Sequence, residues 1–156
     1  MAVRPRFALD TLGLEFDVGS SPTIESAREA LGGRLSTERG PGAVVDVSMK
    51  RGGDARGVLV CVSGESRDVW IGEGRFVRTG RERVRVATES SRDLDTVASD
   101  ARRFALLREG ELVRATKRDG TTVDGTLLEK CRYGALVAKG DAVLAVSFRR
   151  VVTAPS

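Results

Sequence analysis

The sequence predicts a mostly-β fold with short helices, arranged as two tandem units that each join one helix to a five-stranded small barrel. Three observations carry this expectation. A helix signal followed by several short strands occurs twice, in the same order. Glycine is abundant at 18 residues while aromatics make up only 4%, which suits bends and hairpins around a core of Val, Leu and Ala. The 156 residues divide into an N-terminal extension with an alternating strand pattern (1–20), a first unit (21–89) and a second (91–156). Units of that size sit near the limit at which a core offsets chain entropy, so packing together or assembly is expected.

In the extension, Phe7, Leu9, Leu12, Leu14, Phe16 and Val18 mostly alternate with polar or small residues. Such a segment suits an open barrel edge, in its own chain or a neighbour's. The first helix runs from Ser21 to Leu31, with Ser21 as N-cap, Pro22 at the first helical position and Gly32-Gly33 as the stop. Strands are expected over 44–49, 57–62, 67–71, 75–78 and 83–88. Trp70 belongs to an apolar strand and reads as core.

The second helix runs from Ser91 or Asp93 to Arg108, closed by Gly110. Its apolar face is Leu94, Val97, Ala98, Ala101, Ala105 and Leu106. Strands follow over 112–117, 123–131, 135–138, 142–148 and 151–153. Side by side, KRGGDARGVLV meets KRDGTTVDGTLL with one residue fewer between turn and bend glycine in the first half, and RERVRVA meets SFRRVVTA. Gly57 and Gly125 fall where a long strand bends and a side chain would clash.

Composition excludes much chemistry. Hydrophobic residues at 40% and charged residues at 31% describe a soluble chain, and histidine is absent. That removes imidazole bases, Ser-His-Asp and Cys-His arrangements, and the commonest transition-metal ligand. Cys61 and Cys131 stand alone in apolar runs and read as buried free thiols. The glycine pairs Gly52-Gly53 and Gly72-Glu73-Gly74 lack G-x-x-x-x-G-K-[ST] and read as hairpin turns. Asp119, Asp124 and Glu129 lie on turns and strand faces that give no reason for desolvation. No catalytic residue, metal or cofactor is expected, and the chain does not read as an enzyme. No apolar run approaches 18 residues, so no membrane association and a cytoplasmic location are expected.

The stretch LVRATKRDGTTVDGTLLEKCRYGALVAKG, followed by VSFRRVVTA, resembles the Sm/Lsm/Hfq small-barrel family. The D-G turn, bend glycine, Leu127 and Tyr133 before an apolar strand carry the resemblance, and the helix over 93–108 lies in the expected place. SH3-type barrels share much of the pattern. Cys131 stands at the family's Asp position, and Arg149-Arg150 takes the place of the bacterial members' Lys-His pair. The resemblance implies ring assembly through strand-four to strand-five pairing, and binding of single-stranded RNA.

The net charge of +4 comes mainly from arginine, which favours bidentate phosphate contacts. Arg132-Tyr133 can pair base stacking with a phosphate contact. Lys117, Arg118, Arg149 and Arg150 are the other candidate nucleic-acid-binding residues, although strand alternation would put Arg149 and Arg150 on opposite faces. Arg81, Arg83 and Arg85 alternate with other residues and form an additional basic face. The expected function is non-enzymatic binding of single-stranded RNA or DNA within a homo-oligomeric, ring-like assembly. The alternative is a protein-interaction or scaffold module that oligomerises through barrel edge strands.

Overall fold

The structure, a computed structural model, describes residues 14–17, 24–34, 42–72, 75–117, 119–140 and 142–155. Among them, β1 (Leu14–Asp17) and α1 (Ile24–Ala30) precede β2 (Val44–Ser48), β3 (Asp54–Ser63), β4 (Ser66–Gly72), β5 (Arg75–Gly80) and β6 (Val84–Val86). After α2 (Arg92–Leu106) come β7 (Leu112–Thr116), β8 (Thr122–Lys130), β9 (Gly134–Lys139), β10 (Ala142–Ser147) and β11 (Val151–Thr153). The mostly-β expectation holds, with two five-stranded antiparallel sheets. Their orders are β5-β4-β3-β2-β6 and β10-β9-β8-β7-β11, the second extended by β1 beside β10.

The two sheets repeat each other in register. Val44 faces Val58 and Val45 faces Gly57, just as Leu112 faces Thr126 and Val113 faces Gly125. Val58 then faces Trp70 as Thr126 faces Ala138, and both strands slip register two residues after the bend glycine. Each bend glycine is required by close approach. A Cβ at Gly57 would lie 2.0 Å from the Trp70 carbonyl oxygen, and one at Gly125 would lie 2.5 Å from that of Ala138. In both sheets a three-residue 3-10 turn, Arg81–Arg83 or Phe148–Arg150, leads into the last strand.

Register also corrects the side-by-side reading of the halves. Ser48 faces Asp54 and Thr116 faces Thr122, so the two turns are equally long. The equivalent of Lys117 is Met49, not Lys50, and each donates its N–H across the turn, to Gly53 and Thr121 respectively.

The helices are where grouping departs from sequence order. One unit comprises Met1–Leu35 with Leu106–Ser156, and the other Ser36–Ala105. The first helix therefore belongs with the later sheet, not with the strands that follow it, and the second unit interrupts the first along the chain. Within the unit that joins Met1–Leu35 to Leu106–Ser156, Ala27 of α1 and Leu31 just beyond it enter an apolar cluster with Cys131, Leu136, Val143 and Ala145. Gly32 and Gly33, at φ 84° and 88°, end α1: their N–H groups donate to Glu29 and Arg28, a Schellman closure that only glycine makes without strain. The Ser21-Pro22 start lies outside the described residues, as do residues 1–13 and 18–20 of the extension.

A buried ion pair fastens α1. Arg28 donates Nε–H to Glu129 of β8 at 2.6 Å and Nη2–H at 3.0 Å, and Arg34 adds a bond at 3.2 Å. The Glu129 side chain is 6% exposed, which corrects the expectation that it lies where nothing desolvates it. Burial alone would raise its pKa; the Arg28 hydrogen bond and charge, the Cys131 thiol and Arg34 outweigh this and hold it below the usual range. Burial, then the Glu129 charge, push the Cys131 thiol up to about 12. Both cysteines are free and buried, as expected.

In the other unit, α2 is capped by Ser91, whose Oγ accepts from the Leu94 N–H. Val97, Ala98, Ala101 and Phe104 are buried, whereas the expected face residue Leu106 is 79% exposed. Phe104 lies three residues beyond Ala101, so it continues the Val97–Ala101 stripe better than Leu106 does. The adjoining sheet buries Val45, Val47, Leu59 and Val69, and Trp70 is core, as expected.

Gly57→Ala and Gly125→Ala should each cost about 1–3 kcal/mol by forcing strands apart. Gly72→Ala, where a Cβ has its nearest neighbour at 3.8 Å, serves as the tolerated control in urea unfolding. Because the folded pKa of Glu129 is depressed, its stabilisation is present above about 4.5 and is lost as pH falls through the lower folded value. Glu129→Gln should cost about 2 kcal/mol at neutral pH and flatten the acid limb of stability against pH. It should also make Cys131 react faster with thiol reagents, because the Glu129 charge that raises the thiol is gone and α1 is held less firmly over it.

Candidate nucleic-acid interface

Lys117, Arg132, Arg149 and Arg150, in the unit that joins Met1–Leu35 to Leu106–Ser156, lie on the 3-10 turn between β10 and β11 or on turns bonded to it. Ser147 ends β10 fully buried and caps that turn, its Oγ accepting from the Arg149 N–H at 3.2 Å. Phe148 turns its side chain into the core, 1% exposed, and donates its N–H to the Tyr133 carbonyl at 3.0 Å. Arg150 reaches the other way, donating Nη1–H to the Lys117 carbonyl at 3.5 Å. Three residues thus join the β8–β9 turn that carries Arg132 and Tyr133 to the β7–β8 turn that carries Lys117.

Each of those turns is held by its own sequence. Arg132 and Tyr133 donate their N–H groups to Gly33 and Leu31 at the end of α1. The half-buried Tyr133 ring lies over Gly32, where a Cβ would come within 2.6 Å of it. Gly134 follows because a Cβ there would sit 2.0 Å from the Val146 carbonyl oxygen. At the other turn, Gly120 adopts φ 90° and donates to the Lys117 carbonyl at 2.9 Å. Hydrogen bonds from Thr121, with the Lys117 charge adding to them, hold the Asp119 carboxyl below its usual range. Asp119 is therefore anionic and offsets part of the positive charge at this turn.

Lys117, Arg132, Tyr133, Arg149 and Arg150 are therefore linked through hydrogen bonds centred on one turn. Arg118 falls outside the described residues. Arg149 and Arg150 do not alternate across a strand as expected, because the 3-10 turn replaces period two with a period of three residues per turn. Ser-Phe at 147–148 is the local signal for it, a capping hydroxyl followed by a side chain that must turn inward.

The additional basic face is divided. Arg81 and Arg83 belong to a 3-10 turn and only Arg85 lies on β6, so the alternation that would align them is absent. Arg81 pairs with Glu65 at 2.9 Å. Arg83 donates to the Ser48 carbonyl, while Arg85 bonds both Ser48 Oγ and Asp54. Other arginines are likewise spent in pairs: Arg56 with Asp46 in this unit and, in the other unit, Arg114 with Asp124, both facing partners across adjacent strands.

Buried carboxylates that sequence reasoning passed over also have partners. Asp68, fully buried, accepts from Arg78 Nε at 2.9 Å, its register partner, and Asp100 is paired with Arg103. Among the described residues no group of three or more His, Cys, Asp or Glu could hold a metal ion. None of their helices is long and apolar enough to cross a membrane. No family model matches the chain, and no curated protein does either.

Proposed function

We propose that the chain is a non-enzymatic module that binds single-stranded RNA or DNA along the Lys117, Arg132, Tyr133, Arg149 and Arg150 ridge, with Arg118 beside it in sequence. The carrying observation is the 3-10 turn that bonds Tyr133 on one side and Lys117 on the other. It ties the backbone of the turn that carries Arg132 and Tyr133 to that of the turn that carries Lys117. Guanidinium groups take phosphates bidentately, and a ring already seated on Gly32 loses little freedom when a base stacks on it.

The accompanying fold reading is that both sheets are small barrels of the Sm-like or SH3-like kind. It is supported by the return of the fifth strand beside the first, the bend glycine in the second strand, and the 3-10 turn between the fourth and fifth. Ring assembly through the outer edge of β10 would require β1 to leave that edge. Nucleic-acid binding is therefore proposed for the single chain. A scaffold role is the second reading, favoured by the outermost positions of β5, β6 and β11 in their sheets.

Fluorescence anisotropy with a labelled oligouridylate tests the first reading. Four cations on phosphates should give log K against log salt a slope of about −3, at roughly 0.7 per phosphate for single strands. Arg149→Ala/Arg150→Ala should reduce that magnitude by about 1.4, and Arg81→Ala should leave it unchanged. Absence of binding at low salt removes this reading. The scaffold role then stands only if light scattering shows self-association.

A further inference from the structure

We infer that the turn between β2 and β3 is a second site for single-stranded nucleic acid, one that takes the phosphates of the strand through Lys50, Arg51 and Arg83 and does not read its bases. The inference rests on the nucleic-acid reading for its ligand class and shares no residue with the site proposed above.

Register makes this turn the counterpart of the one that carries Lys117. Met49 and Lys117 are equivalent, so Arg51 holds the place of Asp119 and Gly52 that of Gly120. Gly52 and Gly120 adopt the same left-handed geometry, at φ 85° and 90°. Val47 faces Val84 as Ala115 faces Val151, so Arg83 and Arg150 are equivalent as well. Each donates one Nη1–H at 3.5 Å to a carbonyl at the turn, that of Ser48 or that of Lys117. Both 3-10 turns thus lay an arginine against the turn between the first two strands of their sheet.

Positive charge is less offset here than at the counterpart. Where Asp119 neutralises part of the Lys117 turn, Arg51 adds a cation, and the stretch from Met49 to Gly53 holds no acid. Asp54, next in sequence, is already bonded to Arg85, which also donates to Ser48 Oγ at 3.2 Å. Lys50 and Arg51 are exposed, and Arg83 spends one of its five N–H groups on Ser48. Among the described residues these three cations form no ion pair, which suits them to successive phosphates. Arg81 donates its N–H to the Glu65 carbonyl at 2.8 Å, as Phe148 does to that of Tyr133. An acid therefore holds the place of the stacking ring, and affinity at this turn comes from phosphates alone.

Anisotropy with a labelled abasic strand, tetrahydrofuran units joined by phosphodiesters, tests the site in the full chain carrying Arg149→Ala/Arg150→Ala. Adding Lys50→Gln/Arg51→Gln should reduce the slope of log K against log salt by about 1.4 in magnitude, at roughly 0.7 per phosphate for single strands. Arg81→Gln/Arg92→Gln removes the same charge elsewhere and should leave the slope unchanged. Absence of abasic-strand binding at low salt, an unchanged slope with the first pair, or an equal loss with the second overturns the inference. Equal competition by polyglutamate, charge for charge, overturns it too and makes an acidic protein segment the ligand. Oligouridylate separates the two sites, because only Tyr133 gains from its bases. Binding that responds to Arg149→Ala/Arg150→Ala but not to Lys50→Gln/Arg51→Gln leaves the Tyr133 site alone standing. The reverse keeps this site and removes the other, and binding of neither strand removes both.

Discussion

The Glu129 carboxylate sits on the inward face of β8, and its charge must be matched from α1 because water reaches so little of it. A seven-residue helix has no stability of its own, so α1 exists where Arg28 meets that carboxylate and Ala27 and Leu31 complete the apolar cluster. Once docked, the helix end fixes the next layer. Its Leu31 and Gly33 carbonyls take the Tyr133 and Arg132 amides, Gly32 seats the Tyr133 ring, and Tyr133 in turn anchors Phe148. The turn that carries Arg149 and Arg150 is thus the last link of a chain of constraints that begins at one buried charge.

The two sheets show how far a shared pattern determines structure. Register, bend glycine, bulge and 3-10 turn agree between them. They differ at the fourth strand, arginine-bearing and nowhere fully buried in β5 but uncharged and buried from Val143 to Ser147 in β10. Internal geometry follows from where glycine permits close approach, whereas the fate of each edge follows from which side chains line it.

Strands were legible because alternation and turn glycines are local signals, and among the described residues β2 to β11 fall where the residues place them. The address of α1 was not. Its capping and spacing are readable, but the partner of Arg28 lies on a strand far along the chain, and periodicity carries no information about that. Glu129 was legible in principle, being in phase with Val123, Gly125 and Leu127 on β8. It was passed over because a carboxylate on an inward face makes sense only with its distant arginine. The candidate site was half legible. Arg132, Tyr133, Arg149 and Arg150 stand out as residue types, but the 3-10 turn that joins them to Lys117 interrupts strand alternation and had to be seen.

The interrupted order of the first unit has a consequence for synthesis. The N-terminal strand and helix leave the ribosome before the sheet that completes them, and the whole of Ser36–Ala105 is made in between. At roughly 5–20 residues per second, β1 and α1 wait several seconds or more without the Glu129 carboxylate or the β10 edge. The intervening unit has all its strands available earlier. Vectorial folding therefore completes the middle of the chain before its two ends can meet.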